Sequence, residues 1–450
     1  MKQILILGAG KSSPYLIDYL LSLASKENWF ISVCDINLGL AENRVNNHPN
    51  GKALYLDASE AKRRVDLIKC SDVVVDLLTP KFQPFLAAEC LDLGKHMVSA
   101  SYQDIKTGAL HSAAKDSGIL LLTEIGLDPG IDHIMITELI EKIRADGGEI
   151  SGFYSYGGGL PAPENISNPL RYVITWNPRN VVMAGRYGAQ YLRNGKINIL
   201  PHGRVFKQTW NVEVEGVGTL EAYPNRDSLK YIDLFKLGNL RDMVRATLRY
   251  PGWCETWSQI VRIGMTNERI NIPDLSKFTY KEVVEMFMPL SLDELDFKTA
   301  LSQFLDISAN GKAMQHLEWL GIFSDELVKC RGNTASEMLI DLLEEKLVLN
   351  PNHKDMVVLK HEMDVFYPEQ PDRKEKVSST MIEKGIPGKH TAMAKTVGLP
   401  IAIAVELILS GELEERGSLT PIDPMISQLL LRELKRERVE FCYGNIERAN

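Results

Sequence analysis

Through residues 1 to about 127, short apolar runs alternate with stretches whose apolar positions recur at helical spacing. Ile4–Leu7, Phe30–Val33, Lys52–Leu56, Val73–Leu77, His96–Val98 and Ile119–Leu122 read as strands. Between them Tyr15, Leu16, Tyr19, Leu20 and Leu23, and later Phe85, Leu86, Glu89, Cys90 and Leu93, fall on single helix faces. Nearly continuous apolar strands alternating with amphipathic helices predict an α/β fold with a parallel sheet covered on both faces. Ligands of such folds bind beyond the carboxyl ends of the strands. The segments leaving those ends are Gly8–Ser13, Asp35-Ile36, Asp57-Ala58, Leu77–Pro80, Ser99–Tyr102 and Glu124–His133.

From about residue 128 the texture changes. Ile150–Tyr156 and the stretch near Val205–Val214 read as longer strands, with glycine- and proline-rich turns such as Gly157 to Pro163. Between about 236 and 345 the pattern becomes helical, most clearly over Tyr280–Met288, Leu292–Phe304 and Ala335–Glu345. Met356–Lys360 and Val365–Tyr367 read as returning strands, and GLPIAIAVELIL within 388–409 as a core helix folding back on the first domain. The predicted division is a first domain over 1–128 with part of 388–425, and a second α/β domain over 129–235 and 346–387 with the C-terminal tail. An all-helical insertion is expected over 236–345.

Composition narrows the class. The chain has 450 residues, 44% apolar and 24% charged, the profile of a globular protein with two or three domains. A net charge of −8 with mixed signs disfavours nucleic acid or an anionic membrane as partner. Cys34, Cys70, Cys90, Cys254, Cys330 and Cys442 form no C-x-x-C pair, which suits reduced thiols. Met1-Lys2 leads straight into the first strand, and no apolar run approaches the roughly 18 residues a membrane span requires. A cytoplasmic location is expected.

The chemistry starts at Ile4 to Pro14, a strand entering a Gly-Ala-Gly turn and then a helix. Such a junction aims main-chain N–H groups and a helix N-terminus at a diphosphate. Asp35 follows at the end of the next strand, where a carboxylate can accept from both ribose hydroxyls. Together they point to a dinucleotide, NAD first. Gly10-Lys11-Ser12 also resembles the end of a P-loop, but that loop needs a glycine at position 5, which is Leu5. Ser13 replaces the third glycine of the dinucleotide fingerprint and is small enough for close packing.

Tyr102 and Asp128 leave neighbouring strand ends and offer a phenol and a carboxylate, groups suited to moving protons or holding an amine. Asp128-Pro129-Gly130 is equally ordinary turn chemistry, and Asp128 or Asp132 could cap the next helix. His133 reads as a helix-start or core histidine. Tyr223 to Ser228 and Thr247 to Trp253 are loop-like, aromatic and cationic, and arginine's planar fork suits a polycarboxylate. Alternatively Arg226 pairs with Asp227. His361-Glu362 lacks a second histidine at helical spacing, so no metal site is expected. The KDS, KHEMD and RELKRER charge runs read as solvated faces.

The stretches GAGKSSPYL, SASY, EIGLDPGIDH, SYGGGLPAPE, NPLRY, YPNRDS and TLRYPGW resemble, in order, the saccharopine dehydrogenase (saccharopine reductase) family of the L-glutamate-forming type. HTAMAKTVGLP is compatible with the same family. The resemblance implies a Rossmann-like domain, a second α/β domain that binds substrate and dimerises, and a helical insertion. It implies an NAD(P)-dependent oxidoreductase acting on a CH–NH group, interconverting saccharopine with L-glutamate and 2-aminoadipate 6-semialdehyde in lysine metabolism. Asp128 and Tyr102 then fall on family positions near the reacting nitrogen. Substrate contacts carry over to Ser101, Tyr102, Asp128, Arg226, Thr247, Leu248 and Arg249. Cofactor contacts carry over to Gly8, Ala9, Gly10, Lys11, Ser12, Cys34, Asp35, Ile36, Asp57, Ala58, Leu78, Ala100, Ser101, Leu127, Asp128, Pro129 and Asn177. The partner expected is a small amino-acid substrate, and the assembly a homodimer.

Two departures stand out. Many members have cysteine where this chain has Gly157, so a thiol there is not essential if the protein is active. NADPH-using fungal members have arginine after the strand-end cysteine, where this chain has Asp35; a carboxylate repels a 2′-phosphate and favours NAD over NADP. Arg44 is the nearest basic residue downstream and reads as too far along to hold that phosphate. Two other readings remain: a related amine dehydrogenase of the carboxynorspermidine type, and a non-catalytic dinucleotide-binding sensor. The arginine motifs disfavour the first, and joint retention of Tyr102, Asp128, Arg226 and Arg249 disfavours the second.

Overall fold

A computed structural model describes residues 1–446 except 239, 293 and 331. The chain forms two compact units, Met1–Glu149 with Ser379–Gly444, and Ile150–Ser378 with Asn445 and Ile446.

In the first unit, β1 (Lys2–Leu7), β2 (Trp29–Asp35), β3 (Gly51–Tyr55), β4 (Val73–Asp76), β5 (His96–Ser99) and β6 (Leu120–Leu122) join the late strand Gly417–Leu419 in a seven-stranded sheet. Every neighbouring pair is parallel. Counting from the late strand the order is β6, β5, β4, β1, β2, β3, so the winding reverses between β1 and β4. Such a reversal opens a crevice where the two flanking loops leave in opposite directions. The central strands are buried on both faces, Ile4–Leu7 and Val73–Val75 being almost wholly so, which is why they read as unbroken apolar runs, while edge strand β3 is partly exposed.

Helix α1 (Pro14–Glu27) packs against the helix Ala392–Ser410. Gly398 permits the approach, because a Cβ there would lie 2.8 Å from the Leu16 backbone nitrogen. That 19-residue helix corrects one expectation: it is long and apolar enough to cross a membrane by length and composition. Its 18-residue apolar window is 78% buried within the protein, the situation of a core helix. The boundary near 128 also moves. Helix Ile131–Ala145 belongs to the first unit and packs on Pro424–Arg436, so that unit extends to Glu149.

The second unit is built on a larger mixed sheet. Its strands are β7 (Glu149–Pro161), β8 (Ala189–Arg193), β9 (Lys196–Leu200), β10 (Trp210–Val214), β11 (Gly218–Pro224), β12 (Arg226–Asp227), β13 (Asp242–Arg249), β14 (Asp355–Tyr367), β15 (Gln370–Lys384) and the last strand, Cys442–Ile446. The central order is β10, β11, β13, β7, β14, β15, with β13 parallel to β7 and antiparallel to β11. Strand β13 lies inside the stretch expected to be all helical, and its Thr247–Arg249 end was read as loop. Charged Arg245 and Arg249 hid it, yet both are buried on their sheet faces. The helices begin only at Trp253, with Trp253–Ile263, Tyr280–Glu285, Phe297–Leu305, Lys312–Leu320 and Ala335–Lys346 sharing one apolar core with the sheet. The stretch from Val205 to Lys207 is a tight turn, leaving Trp210–Val214 as the strand. Met356–Lys360 and Val365–Tyr367 are parts of one strand, β14.

Candidate active site

All six strands β1–β6 run parallel, so their carboxyl ends form one edge carrying every first-unit residue expected to bind cofactor. At the reversal, Gly8 has φ +111, and a Cβ on it would sit 3.0 Å from the Leu77 carbonyl oxygen. Only glycine lets these two strand exits approach so closely. The neighbouring Gly10 faces open space, with nothing within 4 Å of where a Cβ would stand. Ser13 closes the turn, its hydroxyl donating to Gly10 O at 2.9 Å, and Pro14 opens α1. A bare main chain, a cradle beside Gly10 and a helix N-terminus fit a diphosphate.

Asp35 faces this turn: Oδ2 accepts from Ala9 N at 2.8 Å and Oδ1 from Asn37 N at 2.8 Å. Each oxygen keeps lone-pair capacity for a ribose hydroxyl. Ile36, 63% exposed, offers an apolar surface next to it. Arg44 is closer than its sequence separation suggested; its Nε donates to Ala9 O at 3.4 Å, and burial holds its pKa below the usual arginine value. Cys34 contributes main chain only. Its carbonyl accepts from Gly8 N at 2.8 Å, while the thiol lies in the core, where burial pushes its pKa up to about 12. Asp57 accepts from Ser59 N and Oγ, Ala58 O accepts from Arg64, and Leu78 N donates to Asp76.

Across the edge, beyond β5 and β6, Tyr102 OH donates to Asp128 Oδ1 at 3.1 Å. With neighbouring strands about 4.8 Å apart, the exits of β5 and β6 that carry this pair lie roughly 14–19 Å along the edge from the β2 exit that carries Asp35, room for the two ends of one molecule. Asp128 is not the cap of the following helix. That position is Gly130, whose φ is +145, and the Gly130 N–H donates to Asp132 Oδ1 at 2.7 Å. The Ser101–Tyr102 turn is held by buried Gln83, which donates to Tyr102 O at 3.1 Å and accepts from Asp104 N at 2.8 Å. Buried Asp76 accepts from Ser99 Oγ at 2.8 Å, and burial pushes its pKa up to about 6 against the pull of Ser99 and the Leu78 N–H.

In the second unit, Thr247 pairs with Gly157 of β7 and Tyr223 of β11, so the position of the missing cysteine adjoins it. Leu248 is buried, and its carbonyl accepts from Arg249 Nη1 at 2.8 Å. The Arg249 guanidinium is 4.7 Å from the Tyr172 ring centre, 4.9 Å from Trp253 and 5.9 Å from Tyr223. Aromatic faces stabilise such a buried cation and fix its plane. Arg226 is exposed with φ +54. No ion pair joins it to Asp227 among the described residues; Asp227 Oδ1 accepts from Leu229 N at 2.9 Å instead. Asn177, the one expected cofactor residue in this unit, is exposed and caps Pro178–Val182 by accepting from Arg179 N at 3.0 Å.

The saccharopine dehydrogenase C-terminal domain family matches residues 126–439, and the saccharopine dehydrogenase NADP binding domain family matches residues 4–122. The chain belongs to the saccharopine dehydrogenase family. It is 31% identical over 98% of both chains to saccharopine dehydrogenase (NADP+, L-glutamate-forming) of Schizosaccharomyces pombe. It is 32% identical, over 98% of its own length and 47% of the other's, to the mitochondrial alpha-aminoadipic semialdehyde synthase of Bos taurus. The apo saccharopine dehydrogenase (L-Glu forming) structure from Saccharomyces cerevisiae superposes with a TM-score of 0.87 at 30% identity, covering 99% of this chain and 100% of that one. The first unit of this family member is thus a Rossmann-like, nicotinamide-dinucleotide-binding fold.

Sequence reasoning missed Asp76, Gln83, Gln103 and Glu124 as supports of the site. Asp76 carried a signal, a carboxylate ending the otherwise apolar run VVVD, and Glu124 opens the strand exit Glu124–His133 singled out from the sequence.

Proposed function

We propose that this family member catalyses the L-glutamate-forming saccharopine dehydrogenase reaction, with Tyr102 and Asp128 moving the protons. The observation that carries the reading is the Tyr102–Asp128 hydrogen bond at the opposite end of the sheet edge from Asp35. A nicotinamide dinucleotide held by the Gly8–Ser12 turn and Asp35 would supply the acceptor for hydride from the saccharopine carbon next to its secondary amine. Asp128 accepts the amine proton, which frees the nitrogen lone pair to form the substrate imine as that C–H bond breaks. Tyr102, bonded to Asp128, passes protons between the pair and the water that adds to the imine carbon. Collapse of the carbinolamine breaks C–N, giving glutamate and 2-aminoadipate 6-semialdehyde. Following reduced nicotinamide by absorbance with saccharopine, and in reverse with glutamate plus the semialdehyde, tests this; no change in either direction overturns it.

Arg226 and Arg249 are the proposed carboxylate ligands, saccharopine being a triacid. Arg226→Ala should raise KM for saccharopine about tenfold or more, the loss of one charge-assisted pair, and leave that of the dinucleotide unchanged. An equal rise for both would contradict the assignment. The homodimer belongs to the same proposal, and exposed Ile197 and Ile199 on the β8–β9 hairpin supply an apolar surface for it.

For the dinucleotide, the Asp35 carboxylate favours NAD, since its charge opposes a 2′-phosphate. Arg44 beside Ala9 supports a second reading, use of NADP, the cofactor of the NADP binding domain family that the chain matches and of the Schizosaccharomyces pombe relative. Wild-type protein should show higher kcat/KM with NAD, and Asp35→Ser should move that ratio toward NADP by about tenfold or more. A wild-type preference for NADP would transfer the selecting role to Arg44.

A further inference from the structure

We propose that Glu124, His133 and Asp132 are positioning residues, a buried strut that holds the Tyr102 phenol against Asp128. This rests on the reading that those two groups move the protons. Glu124 brackets Tyr102 from both sides: its N–H donates to Ser101 O at 3.1 Å, and its Oε1 accepts from Gln103 N at 2.9 Å. It does so at φ +63, a left-handed conformation that costs a glutamate energy and persists where the surroundings impose it. Its second oxygen, Oε2, lies 3.3 Å from His133 Nε2. On the other side of the ring, His133 Nδ1 lies 2.7 Å from Asp132 Oδ1. The same Asp132 oxygen accepts from Gly130 N, which fixes the loop bearing Asp128.

The chain of contacts therefore runs from the main chain on either side of Tyr102 to the Gly130 N–H in the loop bearing Asp128, through three side chains. His133 is fully buried, Asp132 is 1% exposed and Glu124 8%. Both ring nitrogens lie near carboxylate oxygens, Nδ1 within hydrogen-bond reach of Asp132 and Nε2 at 3.3 Å from Glu124, so the imidazole is a packed spacer between two acids. Removing the ring leaves Glu124 and Asp132 without the group packed between them, and the Ser101–Gln103 turn and the Asp128 loop lose their common support.

Five proteins test the strut: His133→Phe, Glu124→Gln, Tyr102→Phe, and each of the first two combined with Tyr102→Phe. Glu124→Gln can still accept from Gln103 N, so it removes the charge while keeping the turn. For each, kcat and KM are measured with saccharopine, and the dissociation constant of the reduced dinucleotide by its fluorescence. Each single variant should lower kcat at least tenfold while KM and the dissociation constant stay within threefold. In the Tyr102→Phe background the same changes should cost less than twofold, because the group they position is gone. A full additional loss in that background, or a loss carried by KM or cofactor binding, overturns the strut. A Tyr102→Phe protein with wild-type kcat overturns instead the role given to Tyr102. Should His133→Phe not fold, Glu124→Gln carries the comparison alone.

Discussion

Asp128→Asn should lower kcat for saccharopine oxidation by about 10²–10⁴, the range that a lost general base or acid costs. In activation free energy that is about 3–5 kcal/mol. Asparagine has the same shape and can still accept from Tyr102 OH, so the 3.1 Å contact and the loop survive. What it cannot do is hold the amine proton as the C–H bond breaks. The melting temperature should therefore match wild type. Tyr102→Phe should lower kcat as well, and the double variant should fall little below Asp128→Asn, since the two groups act on one proton path. Multiplicative losses would mean that they act separately, and an unchanged kcat in Asp128→Asn would remove the carboxylate from the chemistry.

The first unit was legible because its signals are local. A buried parallel strand excludes polar residues whatever surrounds it, so Ile4–Leu7 and Val73–Val75 announce themselves, and a Gly-x-Gly exit to a helix is a constraint of a few residues. Strand β13 was not legible, because the burial of Arg249 depends on Tyr172, Tyr223 and Trp253, brought to it from separate elements. The site divides the same way. Tyr102 and Asp128 could be picked out as reactive types at strand exits. Their mutual contact, and the support of Gln83 and Glu124, arise only when β4, β5 and β6 line up. Arg44 was misjudged for a related reason. Distance along the chain was taken for distance in space, whereas the helix Leu38–Val45 returns it to Ala9.

Two glycines of the first unit should respond to one methyl group in opposite ways. A Cβ at Gly130 would stand 2.0 Å from Gly126 O and 2.3 Å from Gly126 N, main-chain atoms that cannot swing aside. The same loop is closed by Gly126 N donating to Pro129 O at 2.9 Å and Ile131 N to Gly126 O at 2.9 Å, so yielding would break buried hydrogen bonds. With φ at +145 as well, Gly130→Ala should cost about 3 kcal/mol or more. For a unit of this size that lowers the melting temperature by roughly 6–12 °C, and kcat should fall with it as the Asp128 loop opens. Gly10→Ala meets nothing within 4 Å and should melt like wild type. Its methyl would instead occupy the cradle where a diphosphate approaches the main chain, so the dinucleotide should bind at least tenfold more weakly. If Gly130→Ala kept its stability and turnover, the tight loop would have no bearing on the placement of Asp128. If Gly10→Ala bound the dinucleotide normally, the diphosphate would have to lie elsewhere than against the first turn of α1.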